Sequence, residues 1–252
     1  MSAAAVRIEV HADAEAARRS AAALIAELLR VRGERGAVLA LPTGDTPRGV
    51  YAELVRRHRD EGLCFRHATT FGLDEFWPLG RGHPHGFRRF LDEHLLGRVD
   101  SDLAQRFHLD GDAPENRTEE ACALYEAAIT GAGGLDLALL GLGTNGHIAF
   151  NEPGSARDSR TRRVTLHEST RLDLARLFGS ADAVPKEALT MGVATILAAR
   201  EVVLVALGAR KASAVARLLD GPIGPDCPAS FLREHPRAFV VLDREAAAGW
   251  RG

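Results

Sequence analysis

Cysteine is scarce in this chain of 252 residues, and neither sign of charge is in excess. The three cysteines, Cys64, Cys122 and Cys227, form no CxxC pair and are odd in number, which argues against a disulfide framework and a cysteine-based zinc site. Lysine and arginine total 32 against 34 aspartates and glutamates, a net charge of −2. No basic excess points to a nucleic-acid partner, and we expect none.

Long apolar runs are missing as well. No stretch approaches the about 18 residues that a transmembrane helix requires, and the N-terminal segment MSAAAVRIEV lacks the apolar core of a signal peptide. We therefore expect no membrane association and a cytoplasmic location.

The composition is that of an ordinary globular protein, with 46% hydrophobic and 26% charged residues. Apolar runs alternate with helical patterns, which predicts one doubly wound α/β domain over residues 1–252. The predicted strands are Val6–His11, Ala37–Leu41, Ala68–Leu73, Leu135–Leu142, Val202–Leu207 and Ala238–Leu242. The predicted helices are Asp13–Arg32, Pro47–Arg59, Arg88–Leu95, Thr118–Ile129, Pro185–Ala199 and Lys211–Leu219. Ligands of such folds bind at the carboxyl ends of the strands.

The first strand-end loop with candidate chemistry reads LPTGDTP. Gly44 permits a tight turn with exposed amides, the hydroxyls of Thr43 and Thr46 add donors, and the following helix N-terminus favours an anion. An ordinary turn, in which Thr46 caps the helix and Pro47 opens it, explains the same residues. Asp45 is awkward for a phosphate site unless its side chain turns outward or caps the helix.

Two further loops carry candidate acid–base groups. Asp74 follows an apolar strand and lies beside phenylalanines, which suits a general base, although a solvated loop carboxylate gives the same pattern. The loop GLGTNGHIAFNEP places His147 at a strand end and Glu152 five residues later, where a carboxylate can orient the ring. No HExxH pattern or second histidine at ligand spacing accompanies His147, so we predict no metal.

Basic residues cluster in two more segments. In LGARKA, Arg210 and Lys211 stand at a helix start, where their charges oppose the helix dipole unless an anion lies nearby. In RLDLARLF, Arg171 and Arg176 either serve the same anion or face solvent.

Six segments resemble the glucosamine-6-phosphate deaminase (isomerising) family, which is related to the 6-phosphogluconolactonases. In order, from about Leu41 to Asp243, they are PTGDTP, TFGLDEF, LLGLGTNGHIAFNEPGS, RLDLARLF, VPKEALTMGVATIL and LGARKA. The resemblance implies a single Rossmann-like three-layer α/β/α domain with a mostly parallel central sheet. It also implies conversion of D-glucosamine 6-phosphate and water to D-fructose 6-phosphate and ammonia, without a cofactor, in N-acetylglucosamine catabolism.

The resemblance also assigns roles to single residues. His147 would open the sugar ring with Glu152 holding it, and Asp74 would shuttle a proton between C2 and C1. Many relatives have an aspartate where this chain has Asn145, and asparagine can orient the histidine but lends it no charge. The 6-phosphate would be held by Thr43, Gly44, Thr46, Arg176 and Lys211.

Three alternatives stay open. A 6-phosphogluconolactonase typically has Thr-Ala-Ser after the histidine, whereas Ile-Ala-Phe-Asn-Glu follows here. A deaminase for another hexosamine 6-phosphate, such as galactosamine 6-phosphate, would share the motifs, and the divergent loop at residues 77–86 is a candidate lid that bears on specificity. A non-catalytic sugar-phosphate sensor usually carries an appended domain. The oligomeric state is left open.

We expect no activation by N-acetylglucosamine 6-phosphate. Regulated family members bind this sugar through a serine, an arginine, a lysine and a late tyrosine; Ser155 and Arg162 match, but Val164 replaces the lysine and no tyrosine follows Tyr125. Initial-rate kinetics with glucosamine 6-phosphate should be hyperbolic and unchanged by the acetylated sugar. Sigmoidal kinetics relieved by that sugar would contradict this expectation.

Overall fold

Strands and helices alternate along residues 6–252, the part of the chain that the computed structural model describes. The strands are β1 (Arg7–His11), β2 (Val38–Leu41), β3 (Thr69–Gly72), β4 (Asp74–Trp77), β5 (Arg106–Phe107), β6 (Leu137–Leu140), β7 (Arg162–Thr165), β8 (Glu187–Thr190), β9 (Glu201–Ala206) and β10 (Ala238–Asp243). The helices are α1 (Ala14–Arg32), α2 (Asp45–Glu61), α3 (Phe87–His94), α4 (Thr118–Gly131), α5 (Glu168–Phe178), α6 (Val193–Leu197), α7 (Ala212–Asp220) and α8 (Arg244–Ala247). None of these helices is long and apolar enough to cross a bilayer.

Seven strands form a central sheet in the order β1-β10-β9-β6-β2-β3-β5. Every neighbouring pair in this sheet is parallel, as the continuous apolar strand sequences predicted. All six predicted strands are confirmed, with ends within two residues of those expected, and so are five of the six predicted helices.

Alternate residues of each central strand pack into two separate cores, because successive side chains of a strand point to opposite faces. In β2, Leu39 packs with Ile25 of α1 and Leu54 of α2, whereas Ala40 faces a second core that contains Ile129 of α4 and Val215 of α7. Helices therefore cover both faces of the sheet, which confirms the expected three-layer α/β/α architecture.

A second, antiparallel sheet of three strands, in the order β4-β8-β7, corrects one prediction. The predicted helix Pro185–Ala199 is β8 followed by the short helix α6. Strand β8 pairs on both sides with segments distant in the sequence, and Thr190 lies opposite both Asp74 and Arg162. These long-range pairings outweigh the local helical preference, which a reading of neighbouring residues cannot detect.

The start of α2 also differs from the prediction that Thr46 caps it. Gly44 is the N-cap, with φ at +113°, and the helix begins at Asp45, so Thr46 and Pro47 lie inside its first turn. A glycine tolerates this positive φ, which reverses the chain sharply after β2.

Asp136, just before β6, joins three elements at the amino end of the sheet. Its carboxylate is 2% exposed, accepts a hydrogen bond from the Val38 amide at 2.9 Å and pairs with Arg200 at 2.8 Å and with Arg32 at the end of α1. Without the negative charge of Asp136, the two arginines would face each other with no counter-charge. The cluster therefore stabilises the end of the sheet opposite the carboxyl ends of the strands.

Asp136→Asn should lower the free energy of unfolding by about 2–4 kcal/mol, because Arg32 and Arg200 lose their shared counter-charge. Urea unfolding followed by circular dichroism measures this change. The matched control is Asp60→Asn on the exposed end of α2, which should change the same quantity by about 0.5 kcal/mol or less. Equal midpoints for both variants would contradict the stabilising role of Asp136.

Candidate active site

The four strands that precede the predicted functional loops are immediate neighbours, in the order β9-β6-β2-β3. Because all four are parallel, their carboxyl ends lie at one edge of the sheet. The loop LPTGDTP, called the phosphate loop for its predicted role, follows β2; Asp74 follows β3, the histidine loop follows β6 and Lys211 follows β9. Segments from residues 42 to 211 therefore converge on one cleft.

Asp74 begins β4, and only Leu73 separates it from the end of β3. The residue keeps part of its surface exposed, but dense packing around the carboxyl group removes hydration; this effect, together with the charge of Glu75, raises the pKa of Asp74 to about 8. The hydroxyl groups of the two buried tyrosines nearby donate to backbone carbonyls instead of to Asp74: Tyr51 to that of Pro42 at 2.6 Å and Tyr125 to that of Gly72 at 2.5 Å. The Asp74 carboxyl group is thus poised near neutrality to take up and return a proton.

Glu75 has a different role from its neighbour. Its buried carboxylate accepts hydrogen bonds from the amides of Phe87 and Arg88 at 2.9 and 3.0 Å, at the start of α3. Burial raises the pKa of Glu75, and these amide hydrogen bonds oppose the rise. Glu75 therefore caps a helix and stabilises the fold, whereas Asp74 begins β4 directly after the carboxyl end of β3.

His147, Asn145 and Glu152 form one hydrogen-bonded cluster in the loop after β6. The Nδ1 atom of His147 lies 2.8 Å from Oδ1 of Asn145 and 3.4 Å from Oε2 of Glu152, and the Asn145 amide nitrogen donates to the same Glu152 oxygen at 2.8 Å. That donation orients the Asn145 amide with its oxygen toward the histidine. The Asn145 and Glu152 oxygens near Nδ1 can only accept, so they favour the tautomer with the proton on Nδ1, which leaves Nε2 to act as the base.

Glu152 supplies the negative charge of this cluster. Burial alone would raise its pKa, but the hydrogen bond and charge of His147 outweigh it and lower the pKa of Glu152 to about 2. The carboxylate is therefore ionised across the physiological range and places a negative charge beside Nδ1 of His147.

Two glycines allow the histidine loop its shape. The His147 ring lies against Gly143, where a Cβ atom would come within 2.3 Å of the ring. Gly146 adopts φ of +87°, and a Cβ atom there would lie 2.7 Å from Sγ of Cys227. Any side chain at position 143 would displace the ring, so this glycine is a condition for the placement of His147.

The residues predicted to hold a phosphate lie at the start of α2, on α5 and after β9. Arg176, on α5, pairs with Asp45 in the phosphate loop, beside Thr43, Gly44 and Thr46. Burial lowers the pKa of Lys211; the charge of Asp173 opposes this shift, and the charges of Arg210 and Arg176 add to it. The cleft therefore has a cationic end, separate from the acid–base groups, that suits an anionic substituent.

Other candidates lie outside the cationic end. Arg171 donates to the Ala181 carbonyl at 2.7 Å and so holds the segment after α5. The loop at residues 77–86 is tied down by a hydrogen bond from the Arg81 amide to Asp112 at 2.7 Å, and its two histidines, at positions 83 and 85, pack on Phe178 of α5.

The pair expected from effector-binding relatives is in contact. Arg162 donates to Ser155 Oγ at 3.1 Å and to Asn151 Oδ1 at 2.9 Å. The kinetic expectation for this segment stays a prediction.

Helix α5 contributes two residues that the sequence reasoning missed. The Thr170 hydroxyl lies 3.4 Å from Nδ1 of His147, and Asp173 accepts hydrogen bonds from Thr144 and Arg210 at 2.8 Å each. Positions 170, 173 and 176 lie on one face of a helix, so the three-residue spacing was the available signal.

Comparison with known proteins identifies the family. A family model for glucosamine-6-phosphate isomerases and 6-phosphogluconolactonases matches residues 11–241. The chain belongs to this family. It is 48% identical to a glucosamine-6-phosphate deaminase of Rhodopirellula baltica over 96% of this chain and 95% of that one, and 43% identical to glucosamine-6-phosphate deaminase 1 of Bacillus subtilis over 86% and 89%. The resemblance stated from the motifs is confirmed.

Solved structures of the family agree with the fold. A structure described as a monomeric glucosamine-6-phosphate deaminase superposes with a TM-score of 0.93 at 40% identity, covering 97% of this chain and all of that one. The 6-phosphogluconolactonase of Trypanosoma brucei superposes with a TM-score of 0.74 at 24% identity, covering 96% and 98%, and shares the fold.

Asn145→Asp tests whether position 145 has an electrostatic role in this family member. A second carboxylate beside Nδ1 would stabilise the imidazolium form of His147, so the pH–rate profile should move toward higher pH. Steady-state rates across pH for the wild type and the variant measure the shift. An unchanged rate and profile would mean that Asn145 only orients the ring.

Proposed function

We propose that this chain is a glucosamine-6-phosphate deaminase, which converts D-glucosamine 6-phosphate and water to D-fructose 6-phosphate and ammonia. The observation that carries the proposal is the pairing, in one cleft, of a histidine backed by an ionised carboxylate with a separate carboxyl group whose pKa is about 8. The high identity to curated deaminases supports the same activity.

Ring opening is assigned to His147. Its unprotonated Nε2 accepts the proton of the anomeric hydroxyl and returns it to the ring oxygen as the C1–O5 bond breaks, which yields the open-chain aldehyde. The developing positive charge on the ring is stabilised by Glu152 through the contact at Nδ1. Asn145 hydrogen-bonds both side chains and so fixes their relative orientation.

Isomerisation and deamination are assigned to Asp74. The ionised carboxylate removes the proton from C2 while O1 of the aldehyde takes a proton from the substrate ammonium group, which yields an enolamine; the same carboxyl group then delivers its proton to C1. The resulting C2 imine adds water and releases ammonia, leaving the C2 ketone. A pKa near 8 suits this task, because the group is both a competent base and a competent acid close to neutral pH.

The 6-phosphate is assigned to the cationic end of the cleft. Lys211 and Arg176 supply charge, and Thr43, Gly44 and Thr46 supply donors at the start of α2. Anchoring the phosphate there would leave C1 and C2 of the sugar to reach the acid–base groups. No metal or cofactor has a part in these steps.

The pathway and the location follow from the substrate. Release of ammonia from an amino sugar phosphate belongs to amino-sugar catabolism. A sugar that carries a phosphate dianion does not cross a bilayer unaided, so we place the enzyme in the cytoplasm with its substrate.

The test is to incubate purified protein with glucosamine 6-phosphate alone and to quantify ammonia and fructose 6-phosphate. Both products should appear in equal amounts. Asp74→Asn and His147→Ala should each lower kcat by about a hundredfold or more, because each removes a proton-transfer group. Asp60→Asn, the matched loss of one exposed carboxylate, should leave kcat unchanged.

Other outcomes distinguish the alternatives. Activity on galactosamine 6-phosphate in place of the gluco sugar would shift the substrate, and hydrolysis of 6-phosphogluconolactone would reassign the reaction. Tight binding of glucosamine 6-phosphate without turnover of any of the three compounds would make the protein a sensor.

A further inference from the structure

Arg176, Arg210 and Lys211, at the cationic end of the cleft (the phosphate end below), differ in their ion pairs. Arg176 pairs with Asp45, and Arg210 pairs with Asp173 at 2.8 Å. Within residues 6–252, Lys211 has no carboxylate in ion-pairing contact. Arg176, which is assigned to the substrate phosphate, is thus already paired with a carboxylate of the phosphate loop itself.

Asp45 occupies an unusual place for a carboxylate. It is the first residue of α2, directly after Gly44, and lies between the threonines assigned to the phosphate. Its Oδ2 atom contacts Arg176, and its Oδ1 atom lies 3.2 Å from Arg48. The hydrogen bond from Arg176 lowers the pKa of Asp45, so the carboxylate is charged at neutral pH.

The ion pair joins two helices. Asp45 begins α2 and Arg176 lies in the last turn of α5, 131 positions later in the chain. Both side chains are open to solvent, 49% and 71% exposed, so the pair costs little to break. A bound phosphate needs Arg176 and would lie beside the Asp45 charge, whose repulsion it must overcome.

We propose that Asp45 is an internal stand-in for the substrate phosphate: it holds Arg176 in the empty cleft and gives it up when the 6-phosphate binds. Asp45 thereby weakens binding of every anion at this end by a constant factor. A sugar phosphate, which also contacts the acid–base groups, still binds, whereas a free phosphate is kept from filling the cleft. This inference rests on the proposed function, since it assigns a control on affinity to the same site.

Inorganic phosphate is the probe, because its binding is measured by titration calorimetry without turnover. Asp45→Asn should bind it about three- to tenfold more tightly than the wild type, through loss of one nearby negative charge. The KM for glucosamine 6-phosphate and the inhibition constant of inorganic phosphate should fall together. Asp60→Asn, at the other end of α2, carries the same charge change and should match the wild type.

Arg176→Gln separates the stand-in from simple repulsion. If Asp45 acts by occupying Arg176, then Asp45→Asn should tighten phosphate binding much less in the Arg176→Gln background. An equal gain in both backgrounds would overturn the proposal, and so would unchanged or weaker phosphate binding by Asp45→Asn. Asp45→Ser, which also suits a helix start, repeats the measurement should the asparagine variant lose stability.

The two proposals fail separately. A protein that binds phosphate as described but releases no ammonia would refute the deaminase and keep the role of Asp45. A deaminase in which Asp45→Asn leaves phosphate binding unchanged would keep the function and refute that role.

Discussion

In a parallel sheet all strands end at the same edge, and here β3, β2, β6 and β9 stand side by side in that sheet. Their alternating side chains fill two apolar cores, which fix the register of each strand against its neighbours. A shift of one residue in any of them would exchange its two faces and displace the loop that follows. The geometry of the cleft therefore depends on how the strands beneath it pack in the two cores.

The second sheet connects the parts of the cleft that carry the proton-transfer groups. Thr190 of β8 lies opposite Asp74 in β4, and its hydroxyl accepts a hydrogen bond from the Phe150 amide at 3.0 Å, in the loop that bears His147. Asn151 adds a hydrogen bond to the Met191 carbonyl at 2.8 Å. The strand of the base and the loop of the histidine are thus joined through one segment, which limits their relative movement.

The surroundings shift the pKa values of two carboxyl groups in the cleft in opposite directions. Asp74 is deprived of hydration and of a counter-charge, which holds its proton near neutral pH, whereas Glu152 is buried beside a histidine and stays ionised. The same residue type would behave differently at each position, so the surroundings set the role. At the cationic end, carboxylates already pair with Arg176 and Arg210, so the phosphate proposed to bind there would compete with them.

The sequence by itself determined six of the seven strands of the parallel sheet, five helices and the loops that bear Asp74, His147 and Lys211, because apolar periodicity and glycine placement are local properties of the chain. The motifs also determined the family. Only the tertiary structure decided that Pro185–Ala199 contains a strand, that Gly44 rather than Thr46 caps α2, and that Glu75 caps α3. It alone brought Thr170 to His147 and Arg176 to Asp45. Strand pairing, burial and ion pairing join residues up to 131 positions apart, and no pattern among neighbouring residues records such contacts.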